Sequence, residues 1–322
     1  MMKRKRGIAP LAAALGVLLL VSLLAPVTAF AGQLDVTQPA SLTIRIVHEG
    51  TGIGGARFEI YQIADLTSAG DFAVQSAYSG YAAQLSLDDP ANWDGAALAL
   101  RGYLERDGVQ PTASGVTGDD GKLAFRQLSA GLYLVVGHPV SKDDGYTYTP
   151  MTCLIRLPNT VDGSDWVSDV EITNKYTREE TPGDGETVER KALKAWKDGD
   201  REQRPTSVTV QLLCGSKVYD TQTLNEANNW RYTWEGLDAA EEWLIVEQTV
   251  PEGYTVSTSR EGATFLLTNT YGEKTPGTTP TPGGKLPQTG QLWWPVPVLL
   301  CGGLVFLLIG ILRRKTDPEG HA

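Results

Sequence analysis

The chain has 322 residues and a formal charge of −10, with three cysteines and three histidines. An acidic balance argues against nucleic acid and anionic lipid as partners. His48, His138 and His321 suggest no His-based triad or zinc set, no GxSxG or HExxH occurs, and no cofactor is implied.

At the N-terminus, Lys3-Arg4-Lys5-Arg6 is followed by the apolar run Ile8 to Leu24 and by Ala29-Phe30-Ala31. Positive, apolar and small-x-small segments in that order predict a signal peptide over residues 1–31 and export of the remaining chain. An uncleaved N-terminal anchor is the alternative. Removing four basic residues leaves the exported chain more acidic still. Cys301 lies in an apolar tail, so Cys153 and Cys214 remain, in different predicted domains. Both are read as buried small apolar residues rather than as a disulfide.

Residues 32–176 are expected to form a first domain. Leu42, Ile44 and Ile46 alternate with more polar neighbours, and Phe58 and Ile60 resume the period-two pattern after a turn. Between them Gly50, Gly52 and Gly55 match GxGxxG, but a strand rather than a helix comes next. That context argues for a hairpin or loop turn and against a dinucleotide site. Asp89 to Arg106 reads as a helix, capped by Asp88 or Asp89 with Pro90 in the first turn. Ala97, Leu100, Tyr103 and Leu104 share one face, and Gly108 ends it. Strands resume at Lys122–Phe125, Leu132–Val136, Cys153–Leu157 and Val167–Ile172. Asp119-Asp120-Gly121 and Asp143-Asp144-Gly145 lack calcium-loop spacing and read as turns.

A polar stretch with Pro182, Gly183 and Gly185 predicts a linker at 177–187. Residues 188–271 form a second domain, with strands expected at Glu189–Lys197, Ser207–Leu213, Trp230–Trp234, Trp243–Glu247 and Thr264–Thr270. The fold class is therefore mainly β: two tandem antiparallel β-sandwiches, Ig-like or prealbumin-like, the first with an inserted helix. A Thr/Pro/Gly spacer covers 272–285.

Three positions in the second domain carry potential chemistry. Lys194 shares strand parity with Trp196 and points inward. Asn269 lies late in the apolar run from Phe265, and Glu247 ends Trp243-Leu244-Ile245-Val246-Glu247. Desolvation would lower the amine pKa and raise the carboxyl pKa. A neutral amine could then attack the Asn carboxamide while a protonated Glu shuttles protons, forming an amide between the first and last strands.

The C-terminus has three contiguous parts, Leu286-Pro287-Gln288-Thr289-Gly290, an uncharged apolar run to Leu312, and Arg313-Arg314-Lys315. The run is long enough to cross a bilayer, and the basic triplet would stay cytoplasmic. Residues 286–322 thus resemble the LPXTG sorting signal of Gram-positive surface proteins. The resemblance implies cleavage between Thr289 and Gly290 by a sortase. It also implies transfer of the Thr289 carboxyl to a peptidoglycan precursor or another pilin subunit, so that the protein ends secreted and cell wall-anchored.

Lys194-Ala195-Trp196-Lys197-Asp198, Arg204-Pro205-Thr206, Trp230-Arg231-Tyr232-Thr233-Trp234, Val250-Pro251-Glu252-Gly253-Tyr254 and Thr268-Asn269-Thr270-Tyr271 resemble the Cna B-type domain of such proteins and pilins. That resemblance implies a Lys194–Asn269 isopeptide bond catalysed by Glu247. In the first domain, Gly131 to Val136, Cys153 to Pro158 and the preceding helix resemble the N-terminal domain of sortase-assembled pilins. Trp166, Val170, Ile172 and Lys175 keep the spacing of that family's WxxxVxVYPK motif, with Thr173-Asn174 in place of Tyr-Pro. Lys175 is accordingly the candidate pilin-linking lysine. Ile46 and Gly137 occupy the regions where the family places its internal Lys and Glu, so no Lys–Asn bond of the first-to-last-strand kind is expected there. The expected function is a pilus subunit or adhesin stalk, with a host or matrix ligand also admitted as a partner. A membrane-tethered passive spacer and a surface glycan-acting enzyme are the alternatives.

Overall fold

The computed structural model describes residues 34–272 apart from 83–86, 88, 162–164 and 200–203. The expected signal peptide, the spacer from residue 273 and the sorting motif lie outside the described residues. No helix among the described residues is long and apolar enough to cross a membrane.

The first sandwich opens with β1 (Ala40–Arg45), whose residues alternate between buried and half-buried. A short hairpin comes next, β2 (Val47–His48) and β3 (Thr51–Gly52), turning through Glu49 and Gly50 at φ 49° and 84°. The glycine trio is therefore a hairpin. Gly52 is required by contact: a Cβ there would lie 2.2 Å from the backbone carbon of Asp120. The chain continues through β4 (Arg57–Leu66) and β5 (Phe72–Val74) to a 3-10 turn at Pro90–Asn92 and helix α1 (Trp93–Arg106). Asp89 caps that turn by accepting from Ala91 N at 3.0 Å. After α1 come β6 (Ala113–Val116), β7 (Lys122–Leu128), β8 (Gly131–Gly137), β9 (Val140–Ser141), β10 (Tyr146–Pro150) and β11 (Cys153–Leu157). The sandwich closes with β12 (Asn159–Val161), β13 (Asp165–Val167), β14 (Asp169–Thr173) and β15 (Tyr176–Glu180).

One sheet has the order β14-β1-β7; the facing sheet runs β11-β8-β4-β5, with β6 also on β4. Leu42, Ile44, Phe58, Ile60, Tyr133 and Val135 fill the space between them. β15 pairs with β10, Tyr148 opposite Arg178 and Thr149 opposite Thr177. Residues 177–180, expected as linker, are thus held in a sheet of the first sandwich. Their backbone hydrogen-bond demand is met by β10, and only 181–186 connect the two domains.

The second sandwich contains β16 (Thr187–Lys197), β17 (Ser207–Cys214), β18 (Lys217–Asn225), β19 (Arg231–Asp238), β20 (Trp243–Glu247), β21 (Tyr254–Glu261) and β22 (Thr264–Tyr271). Its sheets are β19-β16-β22-β21 and β18-β17-β20. Neither sandwich is purely antiparallel, contrary to the expectation. β1 runs parallel to β14, and β16 runs parallel to β22. In each case an early strand and a late one lie side by side in one sheet, joined through the intervening domain rather than by a hairpin, which frees them to run the same way; in the second sandwich they are its first and last strands.

Both cysteines are free and half-buried, so the expectation of two buried apolar residues fails most clearly at Cys214, whose Sγ meets Glu241 Oε2 at 3.5 Å. Cys214 sits at the end of β17, where the strand runs out of the core. Burial pushes the Cys153 thiol up to about 11.

Helix α1 joins the two sandwiches. Ala96, Ala97, Ala99, Leu100, Arg101, Gly102, Tyr103 and Leu104 are all buried, far more than one amphipathic stripe. One side lies on Leu132, Leu134 and Val136 of β8; another meets β20 and β21. Every residue of β8 and of β20 is buried, because each strand faces its own sandwich interior on one side and α1 on the other. Buried Arg101 bridges the sandwiches, its Nε 2.7 Å from Glu105 and its Nη2 2.5 Å from Glu242.

Removing that cation would leave two carboxylates facing an uncompensated interface. Arg101→Ala is expected to cost about 3 kcal/mol, read as a lower denaturant midpoint; an unchanged midpoint would contradict the role given to these ion pairs. A second charged cluster sits on the first sandwich. Glu59, largely buried, accepts from Tyr61 Oη at 2.8 Å and from Arg57, with His138 Nε2 3.4 Å away. The His138 contact first, then Tyr61 and the neighbouring positive charge, hold its carboxyl at about 2, below the ordinary 4.5. A depressed folded-state pKa gives stability that is complete above 4.5 and lost as pH falls toward 2. The melting temperature of the parent should therefore fall more steeply across that interval than that of Glu59→Gln; parallel curves would contradict the assignment.

Candidate functional site

The parallel pairing of β16 with β22 sets Lys194 opposite Leu267 and Trp196 opposite Asn269. Ala192, Lys194 and Trp196 share one strand face; Phe265, Leu267 and Asn269 share the corresponding face of β22. Both faces point into the sandwich. Glu247 enters from the opposing sheet at the end of β20, where its residue pairs with Val210. The last turn of parity on β20 thus aims a carboxyl across the core at an amine and a carboxamide on the neighbouring first and last strands.

Asn269 Nδ2 donates to Glu247 Oε1 at 2.9 Å, and Lys194 Nζ lies 3.6 Å from Glu247 Oε2. The Lys194 and Glu247 side chains have no exposure, and Asn269 has none as a residue. Lys194 Nζ also donates to the Ala195 and Leu267 carbonyls at 3.0 and 3.2 Å and stands 4.4 Å from the Trp196 ring centroid. These contacts hold the amine in place. Asn269 Oδ1 has no hydrogen-bond partner; a half-turn of the carboxamide would set it against the Glu247 carboxyl.

Burial dominates both titrations. It brings the Lys194 amine down to about 8, against the attraction of Glu247, and it raises the Glu247 carboxyl. Each group is pushed toward its neutral form, which is the nucleophilic form of the amine and the proton-donating form of the acid.

The surrounding wall is aromatic. Trp196 packs edge-on against Trp230 and Tyr254 at 5.4 and 5.3 Å between centroids. Asp198 accepts from Arg204 Nε at 2.8 Å and Tyr254 Oη at 3.0 Å, tying the strand after Lys194 to this wall. Trp196, Asp198, Trp230 and Tyr254 all lie in the quoted sequence motifs, but strand alternation alone does not reveal that they close the site. Tyr103 of α1 was not legible as a neighbour of Glu247. Its hydroxyl pKa is raised, by burial first and then by the Glu247 charge.

The first sandwich assembles no comparable trio from its lysines. Lys122 faces Glu171 at 3.5 Å, Lys142 donates to the Gly54 carbonyl at 3.0 Å, and Lys175 is exposed. Ile46 is fully buried at the start of the hairpin, and Gly137 packs under Phe58 and Pro150. Lys175 sits between β14 and β15. Next to it Asn174 is buried, its carboxamide accepting from Met151 N at 3.1 Å and donating to Met151 O at 2.9 Å. Trp166 lies on β13, separate from Val170 and Ile172 on β14, with the Arg156 guanidinium 4.7 Å over its ring. Leu286, Pro287, Gln288, Thr289 and Gly290 lie outside the described residues.

Residues 190–270 match the family described as Cna protein B-type domain. The collagen adhesin of Staphylococcus aureus is 37% identical over 134 residues, 38% of this chain; the chain spans only 10% of that relative's length. Among solved structures, one B repeat unit of the S. aureus collagen-binding surface protein matches at 20% identity and TM-score 0.26, covering 73% of this chain and 98% of that one. The major pilin SpaD of Corynebacterium diphtheriae matches at 16% identity and TM-score 0.31, with coverages of 74% and 65%. The minor pilin GBS52 of Streptococcus agalactiae matches at 18% and 0.23, with coverages of 77% and 99%. The stretch that matches the Cna protein B-type domain family, residues 190–270, is the sandwich in which Lys194, Glu247 and Asn269 meet.

Proposed function

We propose that this protein is a sortase-anchored surface protein of a Gram-positive cell, a pilus subunit or adhesin stalk, whose second sandwich is locked by a Lys194–Asn269 isopeptide bond. The observation that carries the reading is the solvent-inaccessible contact of three groups that are costly to bury singly, with Glu247 2.9 Å from Asn269 and 3.6 Å from Lys194. Neutral Lys194 Nζ attacks Asn269 Cγ, and protonated Glu247 donates to Oδ1 as the tetrahedral centre forms. Glu247 takes a proton from the attacking nitrogen and delivers one to Nδ2, and the Oδ1 proton returns to its carboxylate as the carbonyl re-forms. The Cγ–Nδ2 bond breaks and ammonia leaves, so an amine and a carboxamide become one amide plus ammonia, and Glu247 is regenerated. The fixed distances supply proximity, and the apolar wall keeps the amine desolvated.

The function follows from the position of the bond. It would join the first and last strands of the domain, so pulling on the two chain ends loads a covalent link rather than strand hydrogen bonds. The sorting-signal resemblance at Leu286 to Gly290 supplies the anchor, with Thr289 transferred to a peptidoglycan precursor or another subunit. Exposed Lys175 is the candidate acceptor on the first sandwich. The similarity to a collagen adhesin favours a stalk or adhesin role, with a matrix ligand as an allowed partner.

The full chain is expected to weigh one ammonia less than its sequence, and Lys194→Ala, Asn269→Ala and Glu247→Gln are expected to restore the full mass. Glu247→Gln should keep its shape but lose about 4–5 kcal/mol by the loop-closure account of a cross-link. Bond formation should have a bell-shaped pH profile: the Lys–Glu pair must carry one proton, since two leave the amine charged and none leaves no acid. Full mass in the parent would overturn the cross-link. Treatment of whole cells with a wall hydrolase should release the protein with wall fragments attached; retention in the membrane would favour a passive tether.

A further inference from the structure

The second sandwich does not cover its own reaction chamber. Glu247 sits on β20, an edge strand of one sheet, and β21 is an edge strand of the other. The side of the sandwich where these two edges lie is covered by α1, which belongs to the first sandwich. The fit is close. A Cβ on Gly102 would lie 2.2 Å from Val246 Cγ1, and one on Gly95, two turns away on the same face, 2.8 Å from Ser257 Cβ. Val246 immediately precedes Glu247 and points the opposite way, so the notch at Gly102 grips the outer face of the residue next to the catalytic carboxyl. Beyond it, Arg106 Nη1 donates to the Gln248 carbonyl at 3.3 Å. Helix α1 therefore holds both chain neighbours of Glu247.

Building on the cross-link proposed above, we infer that α1 is the positioning element of that reaction, and that the bond in the second sandwich forms only once the first has docked. Gly102 acts through Val246 and Arg106 through the Gln248 carbonyl, the two chain neighbours of Glu247, rather than on the reacting atoms. By covering β20, the helix keeps water from the carboxyl and fixes its reach to Asn269. The cross-link would then record that both domains have folded and met, and the finished stalk would be locked only when its two sandwiches are already one body. Glu247 meets Lys194 from β16 and the uncharged Asn269 from β22; its charge also acts on the Tyr103 hydroxyl of α1, Arg106 stands over the Tyr103 ring, and Asp198 acts on Lys194.

The test uses full chains from a short pulse of cell-free synthesis, transferred to buffers of graded pH and sampled over time for loss of one ammonia. Gly102→Leu, which lifts the helix, should slow bond formation by about tenfold or more, while protease resistance of both sandwiches reports that they have folded. Its acid limb should move to lower pH, because a wetter Glu247 gives up its proton more readily; general destabilisation would lower the yield without moving the limb. Gly102→Ala should slow the reaction less, and the pair Gly102→Ala with Val246→Ala should recover rate over Gly102→Ala alone. Removal of Val246 Cγ1 leaves Cβ at 3.6 Å, an ordinary contact. Parent-like rates and pH profiles in Gly102→Leu and Gly102→Ala would overturn the inference while leaving the cross-link intact. A parent chain that never loses ammonia would instead overturn the cross-link itself, and this inference with it.

Discussion

An amine, a carboxyl and a carboxamide held together out of reach of solvent form a constraint that the rest of the second sandwich must satisfy. Each of Lys194, Glu247 and Asn269 would be expensive to bury alone, and an unreacted ion pair in such a place contributes little stability. The parallel alignment of β16 and β22 puts Lys194 and Asn269 on neighbouring strands, and β20 brings Glu247 from the facing sheet. The aromatic wall of Trp196, Trp230 and Tyr254 and the Asp198–Arg204 tie then make sense together. They exclude water from one side and fix the strand that carries the lysine.

The same constraint explains a helix that is buried almost all round. Alanine and glycine predominate where α1 meets the second sandwich, and the backbone comes close enough for Val246 to occupy the space over Gly102. Larger side chains would hold β20 away. The bridging Arg101 adds charge complementarity to that fit, since Glu105 is on its own helix and Glu242 is just ahead of β20. The apolar core runs without a break from β8 through α1 to β20, so the two sandwiches share one hydrophobic cluster rather than meeting across a polar seam.

Much of this architecture is legible in the sequence where periodicity is strong. β1, β8, β11, β17, β20 and β22 follow apolar alternation or short apolar runs, and Asp89 with Pro90 marks the start of α1. The strands that escape notice are polar or exposed. Lys217–Asn225 and Tyr176–Glu180 lie at sheet edges, and Tyr254–Glu261 mixes threonine, serine and charge because its outer face meets a helix rather than a second apolar layer. The parallel pairing of β1 with β14 and of β16 with β22 is invisible to alternation, which sets side-chain faces but not strand direction. The site itself is readable as three inward-pointing positions. The covering helix is not, because its contribution depends on a contact between domains and on glycines that carry no chemical signal of their own.

The cross-link is tested most directly by digesting the purified full chain with protease and sequencing its branched peptides by tandem mass spectrometry. The account predicts one branched species in which the Lys194 side chain is joined to the Asn269 side-chain carbonyl with loss of ammonia, absent from Glu247→Gln. Recovery of the Lys194 and Asn269 peptides only as separate, unmodified fragments from the parent chain would contradict it.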